Sequence, residues 1–175
     1  MGLTEILNLA VVVSIGIVAV VSIQFKMLKH IFIGAIVMNT LTVVSYILAG
    51  GISGAGMCFL AVSQTSVALL FACRDKKMPN WLNIMFVGLY CGLAVISYHQ
   101  WFDLFSGTAA VLYALAVLQT KSWAYRWITL ANCLCWVAYD MLVGAHLILV
   151  IHIFYTLSTA VSIIRERRTT KNKII

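Results

Sequence analysis

Seven apolar runs, each near the length of a membrane crossing, take up almost the whole chain. They span roughly residues 5–24, 31–50, 52–73, 80–98, 101–119, 124–144 and 146–164. The hydrocarbon core of a bilayer is about 30 Å thick, and a helix needs about 20 apolar residues to cross it. These runs are apolar on every side, whereas the strands of a membrane barrel alternate polar and apolar. In hydrocarbon, a helix satisfies every backbone amide within its own segment. Composition agrees: 63% of residues are hydrophobic and 10% charged, against about 25% charged in an ordinary soluble domain. A soluble fold of this size could not hide so much apolar surface. The expected fold class is an all-α integral membrane protein with seven transmembrane helices in contact with the lipid bilayer.

No Lys or Arg precedes the first run, only Glu5, so the N-terminus does not read as a cleavable signal peptide. Ile6 stands where a myristoylation signal needs Ser or Thr. Lys26 and Lys29 follow run 1, and Arg74, Lys76 and Lys77 follow run 3. Lys121 and Arg126 follow run 5, and Arg165, Arg167, Arg168, Lys171 and Lys173 follow run 7. All twelve basic residues therefore fall on one side. The positive-inside rule predicts a cytoplasmic C-terminus and an outside N-terminus. Topology also accounts for the net charge of +7. Nucleic-acid binding, which wants a structured basic face with aromatics, is not expected. Cys58, Cys73, Cys91, Cys133 and Cys135 lie in or at the ends of runs. They read as small apolar residues, with no metal spacing and no disulfide framework.

With seven crossings, runs 1–3 and 5–7 have the same orientation, and run 4 links them. This is the layout of a parallel repeat. A gapless offset of 93 residues lays Asn39 on Asn132, Tyr46 on Tyr139, Gly51 on Gly144 and Arg74 on Arg167. The expected organisation is 3+1+3: a first three-helix unit at 1–77, a linker helix at 78–98, a second unit at 99–168 and a basic cytoplasmic tail at 169–175. Gly88 and Gly92 share one face of the linker helix and permit close helix contact. Packing within the chain is the first reading of that face, and a homo-oligomer contact the second.

The segment Cys133-Leu-Cys-Trp-Val-Ala-Tyr-Asp-Met-Leu-Val-Gly-Ala, followed by an apolar helix ending Ile163-Ile164-Arg165, resembles the YgjV-type bacterial inner-membrane proteins. Tyr46-Ile-Leu-Ala-Gly50, Gly54-Ala-Gly and Gln64-Thr65 occupy similar ground in the first half. The likeness covers nearly the whole chain. Gln64 stands where other members carry a basic residue. The resemblance implies a bacterial inner membrane location and a relation to the SWEET and PQ-loop superfamily, built as three helices, a linker and three helices. The Pro-Gln dipeptide of PQ-loop proteins is absent here. Asn132 and Trp136 resemble the Asn and Trp that SWEET-like proteins place around a central pocket, and Asn39 is the repeat counterpart of Asn132. The counterpart of Trp136 is Val43, so such a pocket would be asymmetric.

Asn39 lies about eight residues into its run, roughly 12 Å deep at 1.5 Å per residue. Asn132 lies at similar depth in run 6. Tyr46 and Tyr139 each follow their Asn by seven residues, nearly two turns, so each pair shares a helix face. These amides either bind a small polar solute or bond between helices, the latter worth about 0.6–2 kcal/mol. The repeat match favours the solute. Asp140 and His152 flank the turn between runs 6 and 7 at comparable depth. They could form a proton or cation site. The simpler reading, which the residues alone favour, is a near-surface Asp reached by water and a His bonded to a backbone carbonyl. Trp81, Trp101, Trp123 and Trp127 read as interfacial anchors, with Trp136 deeper. No phosphate loop, nucleophile elbow or metal cluster is present, so no catalytic residues, cofactor or enzymatic activity are expected. The expected function is transport of a small polar solute by alternating access, with Asn39, Asn132, Tyr46, Tyr139 and Trp136 at the substrate site. The alternative is a non-transporting membrane protein that binds a ligand, lipid or membrane partner.

Overall fold

A computed structural model describes residues 2–48, 52–144 and 146–171. Gly50, Gly51 and Lys173, which enter the sequence reading, lie outside the described residues. Seven helices follow in order: α1 (Leu3–Ser22), α2 (Leu28–Leu48), α3 (Ile52–Cys73), α4 (Asn80–Ile96), α5 (Asp103–Val117), α6 (Ser122–Val143) and α7 (His146–Lys171). The last helix runs seven residues beyond the apolar run that predicts it, taking in the start of the expected tail.

Among the described residues four helices are long and apolar enough to cross a membrane: α1, α2, α3 and α7. The other three fall short for two reasons. With 17 and 15 residues, α4 and α5 rise only about 25 and 22 Å. Helix α6 has 22 residues but buries Arg126, Thr129, Asn132 and Asp140 along one stripe, which lowers its hydropathy while leaving its outer face apolar. The surface is inverted relative to a soluble domain: Ile84, Val95 and Ile96 are more than 70% exposed, whereas Gln64, Thr65 and Thr159 are fully buried. Side chains that water would reject face outward, as a lipid-contacting protein requires. Trp81, Trp101, Trp123 and Trp127 are exposed near helix ends.

Helix α2 packs between α1 and α3, and α6 between α5 and α7. Helix α1 meets α7 and α3 meets α5, which closes a ring of six helices, with α4 resting on α5 and α3. The turns α1–α2, α3–α4 and α5–α6 gather at one end around a shallow pocket that includes Lys29, Lys76 and Lys77. At this basic end Arg126, only 2% exposed, donates from Nε to the Ile23 carbonyl at 3.2 Å and from Nη2 to the Phe25 carbonyl at 2.5 Å. Its Nη1 pairs with Glu166 of α7. The guanidinium thus bonds the cap residue of α1 and the turn that follows it, and ties the end of α1 to α6 and α7. Gly34 makes close approach possible there, since a Cβ on it would stand 2.1 Å from Ser22 Cβ.

Gly88 and Gly92 correct the first reading of their face. Both are exposed, and a Cβ at either would meet nothing within 4 Å. They face away from the rest of the chain because α4 touches its neighbours through Phe86 and Tyr90 instead.

Candidate functional site

The ring encloses a cavity of about 480 Å³, within the roughly 300–1,000 Å³ of small-molecule sites. It reaches from Ser97, Asp103 and Ile148 at the acidic end to Ala19 and Tyr125, about one turn short of the basic end. Asn39, Asn132, Tyr46, Tyr139 and Trp136 all line it, and so do Asp140 and His152.

The two asparagines are held differently, although both are buried. Asn39 donates from Nδ2 to the Ala35 carbonyl at 2.8 Å and to Tyr113 Oη at 3.0 Å. Tyr113 and Thr65 share a 2.7 Å bond, and Thr65 donates to the Ala61 carbonyl at 2.8 Å. Since the Thr65 proton is committed, Tyr113 must donate to Thr65. A directed chain therefore runs from α2 through α5 to α3. Asn132 donates from Nδ2 to the Ala109 carbonyl of α5 at 2.6 Å. Among the described residues no protein donor reaches the Oδ1 of either asparagine. Each amide is thus anchored across helices by its nitrogen and keeps its oxygen as an acceptor in the cavity wall.

Gly144 ends α6 in the left-handed region (φ 75°), and its N–H reaches the Asp140 carbonyl. Glycine adopts that conformation without a Cβ penalty, so the helix stops cleanly. Helix α7 begins two residues later and packs back along α6. This puts His152 Nδ1 2.5 Å from Asp140 Oδ2. Asp140 is 3% exposed. The sequence-based preference for a near-surface Asp and a carbonyl-bonded His is therefore corrected: the tight turn aligns the pair. Trp136, one turn before Asp140, stacks on His152 with 5.6 Å between centroids and 16° between planes.

Several lining residues escape sequence reasoning. Tyr90 and Tyr113 sit in the middle of helices, away from the interfacial belts where membrane tyrosines concentrate; that displacement was the available signal. The Tyr90 hydroxyl is buried without a partner. Asp103 Oδ2 accepts the backbone N–H groups of His99 and Gln100, both at 2.8 Å, bracing the turn before α5. Gln64 lies outside the cavity, fully buried, with Nε2 donating to the Ala114 carbonyl at 3.2 Å. The five cysteines are free, and among the described residues no three His, Cys, Asp or Glu side chains cluster as a metal site.

Below the cavity Phe32 and Tyr125 meet edge to face, their centroids 5.7 Å apart. Beneath that contact lies the Arg126 clamp. The arrangement is a largely apolar and aromatic pocket set with a few polar groups, with the Phe32–Tyr125 contact and the Arg126 clamp at its basic end.

Comparison with curated proteins and with solved structures finds no match. A family model described as a bacterial inner membrane protein matches residues 6–170. That match takes in α2 to α6 whole, all but the ends of α1 and α7, and every cavity residue named above. With its apolar exterior, the chain belongs to the Imp-YgjV family of bacterial inner membrane proteins.

Proposed function

We propose that this protein carries a small polar solute across the inner membrane by alternating access, with α1–α3 and α5–α7 moving against each other about the central cavity. One observation carries this reading: a single cavity of about 480 Å³ is bordered by both Asn39 and Asn132, each offering an unclaimed amide oxygen. A packed core would leave no such volume between them. All seven helices cross the bilayer in this reading, the short α4 and α5 with local thinning of the bilayer around them. The basic end faces the cytoplasm by the positive-inside rule, so the cavity faces outward. Asp140 and His152 form a proton-binding pair suited to coupling.

The test is flux. Purified protein in proteoliposomes should take up a polar solute, and Asn39→Leu and Asn132→Leu should each reduce that uptake. If both variants transport normally, the central site is refuted. Reporter fusions that place both termini on one side would refute the topology. Uptake that ignores a pH gradient would remove the coupling role of Asp140 and His152.

A second reading, a receptor-like membrane protein, draws on the closed basic end and on the outward-facing Gly88 and Gly92 of α4, a face that fits a second copy or a membrane partner. Ligand binding without flux would favour it.

A further inference from the structure

The charges of this chain are sorted. It carries 12 Lys and Arg against 5 Asp and Glu. Among the described residues no Lys or Arg lines the cavity, while two acids, Asp103 and Asp140, do. His152 is the one other titratable nitrogen in the wall. Its Nδ1 lies 2.5 Å from Asp140 Oδ2, and Asp103 Oδ2 is held only by backbone N–H groups, with no cationic partner. A basic protein has thus built an acidic hole.

The aromatic residues are sorted as well. Six of the seven tyrosines line the cavity, joined by Trp136, and none of the eight phenylalanines does. Phenylalanine would pack a wall equally well. Tyrosine and tryptophan share its electron-rich face and add a polar O–H or N–H, and tryptophan gives the strongest attraction to a cation within about 6 Å of the ring. The hydrogen-bonding groups point the same way. The Oδ1 atoms of Asn39 and Asn132 lack protein donors, and the buried Tyr90 hydroxyl has no partner. The wall offers acceptors, negative charge and π-faces. It offers no cation to pair with a carboxylate or phosphate.

We infer that the solute is a small organic ammonium ion without a carboxylate or phosphate, held between the aromatic faces around Trp136 and the carboxylate of Asp140. The inference rests on the proposed solute site and narrows its chemistry. A zwitterionic amino acid, an organic anion and an uncharged sugar each leave part of the wall unanswered: the first two bring a carboxylate to a wall without Lys or Arg, and the third brings no positive charge to the acids.

The test uses full-length protein in detergent and four probes: choline, ethanolamine, the uncharged choline isostere 3,3-dimethylbutan-1-ol, and the zwitterion glycine betaine. Thermal stability and tryptophan fluorescence are followed on titration. At least one of the two cations should give a saturable stabilisation that the isostere and the zwitterion do not. Asp140→Asn and Trp136→Leu should each raise its half-saturating concentration about tenfold or more, and Trp136→Tyr should largely retain binding. Size-exclusion profiles of the variants without probe separate lost binding from lost folding. Equal responses to choline and its isostere, or cation binding unchanged in both Asp140→Asn and Trp136→Leu, overturn the inference. So does silence from both cations. A neutral solute that binds and is lost in Asn39→Leu would then preserve the cavity as the solute site while refuting the cationic class. Failure of every charged and neutral probe would refute both.

Discussion

Replacing Arg126 with Met keeps most of the aliphatic stem and removes the guanidinium. Three bonds go with it: to the carbonyls of Ile23 and Phe25 and to Glu166. Removing one partner of a buried ion pair costs about 3–5 kcal/mol. The figure is lower here, because Glu166 is 30% exposed and still accepts a bond from Ser122 at 3.0 Å. Against that, the carbonyls of Ile23 and Phe25, just past the end of α1, lose their charged donor. A net loss of about 2–4 kcal/mol follows. At about 2–4 °C per kcal/mol for a chain of this size, the melting temperature should fall by about 10 °C. Arg126→Lys keeps the charge without the three-way fork and should fall in between. Glu166→Gln keeps an acceptor for Ser122 and should lose only about 3 °C. Detergent-solubilised variants followed by tryptophan fluorescence on heating provide the assay. A drop of under about 2 °C for Arg126→Met, or a larger drop for Glu166→Gln, would refute the clamp as a fixture of the basic end.

Gly34→Ala drives a methyl into Ser22 Cβ and should cost about 1–3 kcal/mol, read as a lowered melting temperature; Gly88→Ala, which meets nothing, should be near neutral. Tyr113→Phe takes the acceptor from Asn39 and the donor from Thr65 and should cost about 1–3 kcal/mol on thermal unfolding, because both groups are buried. Cys58 borders the cavity and Cys133 is fully buried. In single-cysteine versions of the chain, a small charged methanethiosulfonate should therefore modify Cys58 and leave Cys133 unmodified, as mass spectrometry would report.

The helices are legible in the sequence because lipid demands long unbroken apolar runs, and each run found its helix within a few residues at the start. The polar seam is partly legible: Asn39 and Asn132 stand out because an amide deep in an apolar run needs a partner. Their partners are not legible, since Tyr113 lies 74 residues from Asn39 and a lone tyrosine in an apolar run carries no pairing signal. Arg126 shows why charge counting has a limit. Its position next to a turn places it on the basic side, which is all the positive-inside pattern reads. Whether such a residue meets headgroups or folds inward onto three partners depends on how α1 and α7 sit beside it, which the local sequence does not encode. Asp140 and His152 lie between these extremes: the spacing about the turn puts them level, and only the left-handed Gly144 and the packing of α7 against α6 bring them into contact.

The two ends of the bundle are built on different principles, and this bears on the proposed function. Toward the acidic end the wall is aromatic and aliphatic with a few polar groups, and a volume of about 480 Å³ is left open between the helices. At the basic end the helices approach closely at Gly34 and Ser22, Phe32 abuts Tyr125, and Arg126 joins three elements. Opening the cavity toward that end would require parting the two rings and releasing the guanidinium from two carbonyls and a carboxylate. Each charge-assisted bond is worth about 1.5–3 kcal/mol, and water or headgroups entering the gap would return much of that. The remaining cost is a few kcal/mol, which matches a second state populated at about 0.1–10%. A clamp of this strength is firm enough to hold one state and weak enough to be released. A carrier needs both properties, whereas a rigid receptor needs only the first, so the Arg126 contacts lie where the two readings of this protein part.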